Sequence, residues 1–206
     1  MKNKHILHDK LPIVGIITTG GTIAYKPDSN ANSYKLSRQE LLNSANELNR
    51  LAKISLLDFS TLDSSHMSPE LWLKLTYTAE QILRQPEVTG LVITHGTDTM
   101  PEAVFFLDLL IRSDKPIVFT GAMRDVSHKE PDGPANLLNA VKQVLAPNSV
   151  NRCVTVNMNG RIHAARYVLK TPTRIIDSFS SGDFVLLGYM DNECVYLNEI
   201  LLPPLG

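Results

Sequence analysis

The chain has 206 residues and a formal net charge of −1, with 43% apolar and 20% charged residues. These values predict one globular domain with a sizeable core, and they give no electrostatic support for binding to nucleic acid or to an anionic membrane. No apolar run approaches the roughly 20 residues that span a bilayer, and the polar N-terminus lacks a signal-peptide core. We therefore expect a cytoplasmic protein that binds neither nucleic acid nor membrane.

Strand and helix signals alternate along the first half of the chain. The clearest helix is predicted after Ser68, a good N-cap, and Pro69, which suits the first helical position. Apolar residues then recur at helical spacing until Pro86 ends the pattern. In chain order the predicted elements are a strand at Leu11–Thr18, a polar loop at Ala24–Ser33, a helix capped by Ser37 that runs through Leu48, a strand at Ile54–Phe59, a polar loop at Thr61–Met67 and the helix after Ser68.

The same alternation continues in the second half. The predicted elements are strands at Val88–Thr94, Ile117–Thr120, Cys153–Met158 and Arg161–Ala164, helices at Ala103–Ile111 and after Asp132, and a hairpin within Tyr189–Ile200. The Asn159–Gly160 pair is a strong signal for the turn before the fourth of these strands. This pattern predicts a single domain of the α/β class, an open, mostly parallel sheet with helices on both faces, in a three-layer Rossmann-like or flavodoxin-like arrangement.

The cysteine and histidine patterns indicate no metal site and no cofactor. Cys153 and Cys194 lie too far apart for a CxxC site, and we expect both to be reduced, in or near strands. His95 and His163 stand alone, without the spacing of metal ligands.

Polar loops follow four of the predicted strands. In open parallel sheets, ligands bind outside the carboxyl ends of the strands, so these loops are predicted to meet at one rim. They are Thr19–Thr22, Thr61–Ser65, Thr94–Asp98 and Gly121–Arg124. Within the second loop, Ser64 and Ser65 could bind the α-amino or α-carboxylate group of a ligand, or could only satisfy loop backbone.

Thr22 projects from a tight turn that Gly20 and Gly21 permit. A threonine hydroxyl is a nucleophile only when a base activates it. The alternatives are a threonine that caps a loop backbone group and a phosphate-binding loop, although the segment matches neither common phosphate-binding motif.

Thr97, Asp98 and Lys170 are the other candidates for chemistry. Thr97 or Asp98 would suit the N-terminus of the following helix, and Thr97 could also serve as a second nucleophile or in a proton relay. Lys170 is either a solvated charge or, if partly buried near Asp98, an ion-pair partner and a base.

At these residues the chain resembles the bacterial-type L-asparaginase family. The segments ITTGGTIA at Ile17–Ala24 and GLVITHGTDTM at Gly90–Met100 are similar to that family's two active-site signatures. Further similar blocks follow in the same order, KPIVFTGAMR at Lys115–Arg124, DGPANL at Asp132–Leu137 and RIHAARYVLKT at Arg161–Thr171. The resemblance extends from about Val14 to Tyr189, and it implies hydrolysis of asparagine to aspartate and ammonia through an acyl-enzyme.

The resemblance also implies roles for individual residues. Thr22 would be the primary nucleophile, and Thr97, Asp98 and Lys170 would form a second catalytic group. Tyr34 would support Thr22.

Two further implications of the resemblance concern the neighbourhood of Thr22. Tyr25 is closer to Thr22 in sequence than Tyr34 is, but it lies outside the matching stretch. The implied substrate contacts, some of them through the backbone, are Gly21, Ser64, Ser65, Gly96 and Ala122.

Members of the family continue into a second, smaller domain that supplies an acidic residue to the active site of a neighbouring subunit. The resemblance therefore implies an N-terminal α/β domain at residues 1–190 and the start of an interdomain linker at residues 191–206, with the C-terminal domain absent. Members of the family assemble as dimers or tetramers, so the resemblance also implies a homo-oligomer, and the apolar segment Ile200–Leu202 could mark an interface.

Three functions remain open on the sequence. The first is an amidohydrolase acting on a small substrate, asparagine or glutamine. The second is a truncated homologue of weak or no activity that binds small amino acids or associates with a full-length relative. The third is the ammonia-generating part of a tRNA-dependent amidotransferase.

Overall fold

The computed structural model describes residues 11–27, 33–45, 47–152, 154–171, 175–184, 186–191 and 194–198, with backbone alone at 27, 33–35, 38, 39 and 44. The strands are β1 Ile13–Gly20, β2 Tyr25–Pro27, β3 Ser33–Lys35, β4 Lys53–Leu62, β5 Val88–Thr94, β6 Ile117–Thr120, β7 Val154–Met158, β8 Arg161–Ala164, β9 Leu169–Lys170, β10 Phe179–Ser180, β11 Gly188–Asp191 and β12 Cys194–Leu197. The helices are α1 Arg38–Ser44, α2 Leu48–Leu51, α3 Pro69–Leu83, α4 Met100–Leu110 and α5 Gly133–Leu145. Short 3₁₀ turns occupy Thr22–Ala24, Ser64–His66 and Pro147–Ser149.

Eight strands form one sheet in the order β12-β11-β8-β7-β6-β5-β1-β4. The pairs from β4 to β7 are parallel, whereas β7, β8, β11 and β12 pair antiparallel. Two further two-stranded ribbons join β2 with β3 and β9 with β10. The predicted mostly parallel α/β sheet is therefore confirmed, as is the predicted hairpin near the C-terminal end. No helix in the described parts of the chain is both long and apolar enough to cross a bilayer.

Consecutive strand residues face opposite sides of the sheet and fill two separate cores. Ile93 and Phe119 are fully buried in one core together with α3 and α4. Val92 and Val118 are fully buried in the other, together with α1, α2 and α5. Alternation of side chains along a strand explains this division. It also explains why the central strands read as continuous apolar runs, because both of their faces are covered.

The polar residues at helix ends behave largely as their types predict. The Ser68 hydroxyl accepts a hydrogen bond from the backbone N–H of Leu71 (3.4 Å) at the start of α3, as predicted. Ser37 and Glu40 form a reciprocal capping box at the start of α1. The Lys115 ammonium donates to the carbonyls of Leu83 (2.8 Å) and Gln85 (2.7 Å), which satisfies acceptors at the end of α3.

Three predicted elements have different bounds or a different form. The single helix predicted from Ser37 through Leu48 is two helices, because the backbone leaves the helical region at Ala45 (φ −122°, ψ 70°). The predicted loop Ala24–Ser33 contains β2, which pairs with β3 in a hairpin, although residues 28–32 lie outside the described part. The predicted loop at Thr61–Met67 contains the end of β4 and a 3₁₀ turn.

Two expectations concern residues that are not described. Cys153 lies outside the described residues, whereas Cys194 is a free, exposed thiol on β12. The apolar segment Ile200–Leu202, which could mark an interface of the expected homo-oligomer, also lies outside them. Both expectations stay predictions.

His163 makes the stability of the fold sensitive to acid. This residue of β8 is fully buried, and its Nδ1 lies 2.9 Å from the Ser181 Oγ. Burial, with a smaller effect from the charge of Arg161, lowers its pKa from 6.5 to about 4. The unfolded chain therefore binds a proton that the folded chain rejects, and stability present above pH 6.5 is lost as the pH falls towards 4, by up to about 3 kcal/mol.

Urea unfolding of the wild-type chain and of His163→Gln at several pH values between 7 and 4.5 checks this prediction. We expect the variant to be less stable at pH 7 but to lose less stability on acidification. Every other titrating group, including the buried His95, is common to both proteins, so the difference between the two slopes belongs to His163. Parallel slopes would show that His163 does not carry the effect.

Candidate active site

The candidate site is a cleft at the carboxyl ends of the central parallel strands. Strands β1 and β5 are neighbours in the sheet. The chain leaves β1 towards β4, at one edge of the sheet, and leaves β5 towards β6, in the opposite direction. The strand order therefore reverses between β1 and β5, which is where open sheets bind ligands. A cleft of about 440 Å³ lies there, lined by Gly21, Thr22, Tyr25, Asp63, Ser64, Gly96, Thr97 and Asp98.

Glycines allow the loops of this cleft to touch backbone to backbone. Gly21 has a φ of +78°, and a Cβ at this position would lie 2.5 Å from the Cα of Gly96. A Cβ on Gly96 would in turn lie 2.5 Å from the Ser64 Oγ. Since neither space admits a side chain, the loops after β1, β4 and β5 form one packed unit.

Lys170 brings the second half of the chain to the same unit. Its ammonium donates to the Asp98 Oδ1 at 2.5 Å and to the Thr97 Oγ1 at 2.9 Å. The Lys170 side chain is only 20% exposed, whereas the Asp98 side chain is 64% exposed. Lys170 is therefore an ion-pair partner and not a solvated charge, and the three predicted residues form one cluster.

Ser64 joins the β4 loop to that cluster. Its buried hydroxyl accepts the backbone N–H of Asp98 (3.3 Å), and its carbonyl accepts the Thr99 hydroxyl (2.8 Å). Because α4 begins at Met100 with Thr99 at the N-cap, Thr97 and Asp98 are not helix caps. Both residues instead line the cleft.

Thr22 lies on the cleft wall, exposed, at the start of a 3₁₀ turn. No described residue hydrogen-bonds its hydroxyl, which leaves the oxygen available to a bound molecule. Tyr25 lines the same cleft and donates its phenolic hydrogen to the carbonyl of Thr61. The backbone of Tyr34 pairs with Lys26 in the β2–β3 hairpin, but its side chain lies outside the described part, so its support of Thr22 stays a prediction.

Two predicted substrate contacts do not line the described cleft. The hydroxyl of Ser65 points to the Asp63 Oδ1 (3.1 Å). Ala122 is 2% exposed and packs in the core beside α5. The cleft thus brings together Thr22, Thr97, Asp98, Gly21, Ser64 and Gly96, with Lys170 in contact.

His95 is a buried residue that positions the backbone of the loop after β5. The ring is fully buried, and its Nδ1–H donates to the carbonyl of Gly96 at 2.7 Å. Burial lowers the His95 pKa. The neutral ring therefore fixes the backbone of the β5 loop and carries no charge towards a ligand.

Asp132 and Asn136 hold the loop after β6, Gly121–Arg124, in place. The sequence did not predict this role for the two residues. Asp132 occupies the N-cap of α5, but its carboxylate caps no helical N–H. It accepts the backbone N–H groups of Met123 (3.0 and 3.1 Å) and Arg124 (2.8 Å). The Asn136 amide donates to the carbonyl of Gly121 (3.1 Å). Spacing in the sequence offers no signal for such pairing, since it depends on where α5 lies relative to β6.

We expect Asp132→Asn to lower the stability of the fold, although the side chain keeps its size. The Asp132 Oδ1 can still accept the N–H groups of Met123 (3.1 Å) and Arg124 (2.8 Å), but its Oδ2 accepts the Asn136 amide (3.1 Å). An amide NH₂ in the place of Oδ2 is a donor that faces the Asn136 donor, and leaving that buried group unpaired costs about 1–3 kcal/mol of stability. Thermal unfolding beside Asp125→Asn, a half-buried carboxylate of the same segment that binds Ser127 instead, checks this. Wild-type stability of Asp132→Asn would show that these hydrogen bonds do not stabilise the fold.

Comparison with known proteins identifies the family. The family model described as "Asparaginase, N-terminal" matches residues 13–201. The chain is 43% identical over 190 residues to a probable periplasmic L-asparaginase of Haemophilus influenzae, covering 90% of this chain and 54% of that protein. It is 36% identical over 195 residues to L-asparaginase 2 of Bacillus subtilis, covering 92% and 52%.

A solved structure agrees with these relatives. The probable cytoplasmic L-asparaginase of Campylobacter jejuni superposes with a TM-score of 0.84 at 39% identity, covering 91% of this chain and 57% of that one. Since one relative is named periplasmic and another cytoplasmic, the compartment of this chain stays a prediction. The chain spans about half the length of the curated relatives that it matches. The extent of the family match and these identities establish that the chain belongs to the asparaginase family.

Proposed function

We propose that this chain hydrolyses the side-chain amide of L-asparagine to L-aspartate and ammonia, with Thr22 as the nucleophile. One observation carries the proposal: the Thr97–Asp98–Lys170 cluster lies in the same cleft as the exposed Thr22 hydroxyl. The names of the related L-asparaginases favour this reaction over other uses of a threonine nucleophile.

In the first step, the Thr22 oxygen attacks the amide carbon and the carbon–nitrogen bond breaks. The products are an aspartyl ester of Thr22 and ammonia, so the proton lost by the Thr22 hydroxyl ends on the leaving nitrogen. Thr97 and Lys170 could relay it, because they are hydrogen-bonded to one another at 2.9 Å. In that relay the Lys170 ammonium gives a proton to Asp98, Lys170 then takes the Thr97 proton as Thr97 takes that of Thr22, and the transfers reverse to protonate the leaving nitrogen. Asp98 holds Lys170 in place through their ion pair. Such a relay contributes roughly 10²- to 10⁴-fold in rate.

In the second step, water attacks the ester carbon and the bond to Thr22 breaks. The hydroxyl of water joins the acyl group to give aspartate, and the other water proton restores the Thr22 hydroxyl. The same relay serves in the reverse direction. Splitting one difficult step into two easier ones is the advantage of a covalent intermediate.

The remaining predicted residues would bind the substrate around these atoms. Ser64 presents a hydroxyl fixed by the Asp98 N–H, and the Gly21 and Gly96 backbones lie in contact at the cleft floor. Backbone donors aimed at a developing oxyanion are worth roughly 10²- to 10³-fold in rate. Ser65 and Ala122 would contribute only if substrate binding brings them to the cleft.

Ammonia release from L-asparagine, with L-glutamine as the second substrate, tests the proposal. We expect the 206-residue chain to release ammonia and aspartate from asparagine in equal amounts. A mock purification from cells without the gene controls for contaminating amidohydrolases. Release from neither amide, or from glutamine alone, would overturn the proposed reaction.

A further inference from the structure

Lys170 lies on a ribbon that is too short to hold its own position. Strands β9 and β10 contribute two residues each, and Lys170 stands directly opposite Phe179 in their antiparallel register. A two-stranded ribbon alone in water is at best marginally stable. Phe179 is 3% exposed and packs in the core that contains α3 and α4. The place of the Lys170 ribbon therefore depends on contacts with the rest of the domain.

Strand β8 holds β10 at two points. Arg161 and His163 are two positions apart on β8, so their side chains lie on one face of the sheet. Arg161 pairs with Asp177, which lies two residues before β10 (Nη2 to Oδ2, 3.0 Å). His163 bonds Ser181, which directly follows β10 (Nδ1 to Oγ, 2.9 Å). The two contacts thus lie on either side of the strand that pairs with Lys170.

The contact between His163 and Ser181 is the stronger of the two. The Arg161 and Asp177 side chains are 46% and 37% exposed, and ion pairs exposed to water contribute little. His163 is fully buried and Ser181 is 5% exposed. The His163 Nε2 bonds no described residue, so Ser181 is the one described hydrogen-bond partner of the ring. Because a buried polar group without a partner is costly, this bond fixes Ser181 firmly on β8.

A movement of β10 is transmitted to Lys170. Beside the two paired residues of each strand, the backbone N–H (2.8 Å) and the hydroxyl (3.0 Å) of Thr171 both donate to the carbonyl of Ser178. Ser178 is fully buried. The two strands consequently move together, and the Lys170 ammonium has to stay within 2.9 Å of Thr97 and 2.5 Å of Asp98.

We propose that Ser181, held by His163, positions the Lys170 ammonium on Thr97 and Asp98 and is therefore a positioning residue for the reaction. The inference rests on the proposed function and deepens it, because it names a residue on which the proton relay depends. Ser181 is not among the residues that line the cleft, so its effect on the reaction passes through Lys170.

Acetylation of lysines by N-hydroxysuccinimide acetate, followed by mass spectrometry, tests the position of Lys170 without turnover. In the wild-type chain the Lys170 side chain is 20% exposed and ion-paired, so it should react more slowly than the exposed Lys74. We expect Ser181→Ala to raise the rate at Lys170 roughly 3- to 10-fold, since the loss of one hydrogen bond frees the ammonium more often. Lys115, whose ammonium binds carbonyls at the end of α3, should react as in the wild-type chain and reports on the fold as a whole.

Steady-state kinetics test whether the change reaches the reaction. Ser181→Ala should lower kcat about 10- to 100-fold, as the displacement of a positioned group does. Added to Lys170→Met, it should lower kcat by no more than about 2-fold, because the ammonium that it positions is already absent. Ser149→Ala removes another buried serine hydroxyl, on the turn after α5, and should match the wild-type chain in both measurements.

A wild-type acetylation rate at Lys170 in Ser181→Ala would overturn the proposal. Equal increases at Lys170 and Lys115 would also overturn it, since they would mean that the substitution loosens the whole fold. So would a loss of kcat that is as large in the Lys170→Met background as in the wild-type chain. Acetylation needs no turnover, so it still decides where Ser181 holds Lys170 in a chain that releases no ammonia, a result that would contradict the proposed hydrolysis alone.

Discussion

The Thr22→Ala variant is expected to release ammonia from asparagine at least about 10⁴-fold more slowly than the wild-type chain. It lacks the oxygen that we propose attacks the amide carbon, and the loss of a nucleophile removes the covalent route altogether. Because Thr22 is exposed and its hydroxyl has no described partner, the substitution should leave the stability of the fold within about 0.5 kcal/mol of the wild type. Initial rates of ammonia release and urea unfolding measure the two effects.

Two further variants make the result specific to Thr22. Thr22→Ser keeps a hydroxyl and should retain part of the activity. Thr78→Ala removes a hydroxyl on α3 that donates to the Lys74 carbonyl outside the cleft, and should be fully active. An active Thr22→Ala variant, or a Thr22→Ser variant as inactive as it, would contradict the assignment of the nucleophile.

Lys170→Met is expected to lower kcat by about 10³-fold, since it removes the ammonium that joins Thr97 and Asp98. Asp98→Asn should cause a loss of similar size, because it weakens the ion pair that orients Lys170. The two substitutions act on one hydrogen-bonded unit, so the double variant should be little worse than the more impaired single variant. Steady-state kinetics of the four proteins give this coupling.

Lys74→Met provides the control for loss of a lysine charge, since Lys74 is exposed on α3. It should have wild-type kinetics. Losses in Lys170→Met and Asp98→Asn that multiply in the double variant would show that the residues act independently. That result would contradict a shared proton relay.

The central sheet could be predicted closely from the sequence because its strands have a simple physical signature. Strands β5 and β6 begin and end where the apolar runs predicted them, at Val88–Thr94 and Ile117–Thr120. Both faces of these strands are covered by helices, so nearly every residue has to be apolar. The start of α3 was equally predictable, because it depends only on local sequence. The first N–H groups of a helix have no partner within the helix, and Ser68 and Pro69 are residue types that suit this position.

Elements that depend on distant partners were less predictable. Leu41, Leu42, Ala45 and Leu48 follow a helical period and are all buried, although α1 ends before Ala45 and α2 begins at Leu48. Periodicity therefore reported which side chains enter the core and not whether the backbone stays helical. The polar segment after Ala24 gave no strand signal, because β2 and β3 are short and pair only with each other.

The candidate site was likewise predictable only in part: the position of its loops could be predicted, but the direction of their side chains could not. Topology predicts that loops at the carboxyl ends of parallel strands converge, and the loops after β1, β4 and β5 do so. The direction of a side chain within a loop depends on hydrogen bonds made elsewhere. Asp132 holds Met123 and Arg124, which leaves Ala122 buried, and Asp63 enters the cleft because Ser65 binds its Oδ1. No spacing in the sequence encodes these contacts.

Trapping the covalent intermediate tests the central claim most directly. The wild-type chain and Lys170→Met, in which we expect the second step to be slow, are mixed with L-asparagine, quenched in acid within the first turnover and mapped by mass spectrometry. We predict one aspartyl group in ester linkage on the peptide that contains Thr22, and none in Thr22→Ala. An aspartyl group on Thr97, or ammonia release by both proteins with no covalent adduct at any time, would contradict it.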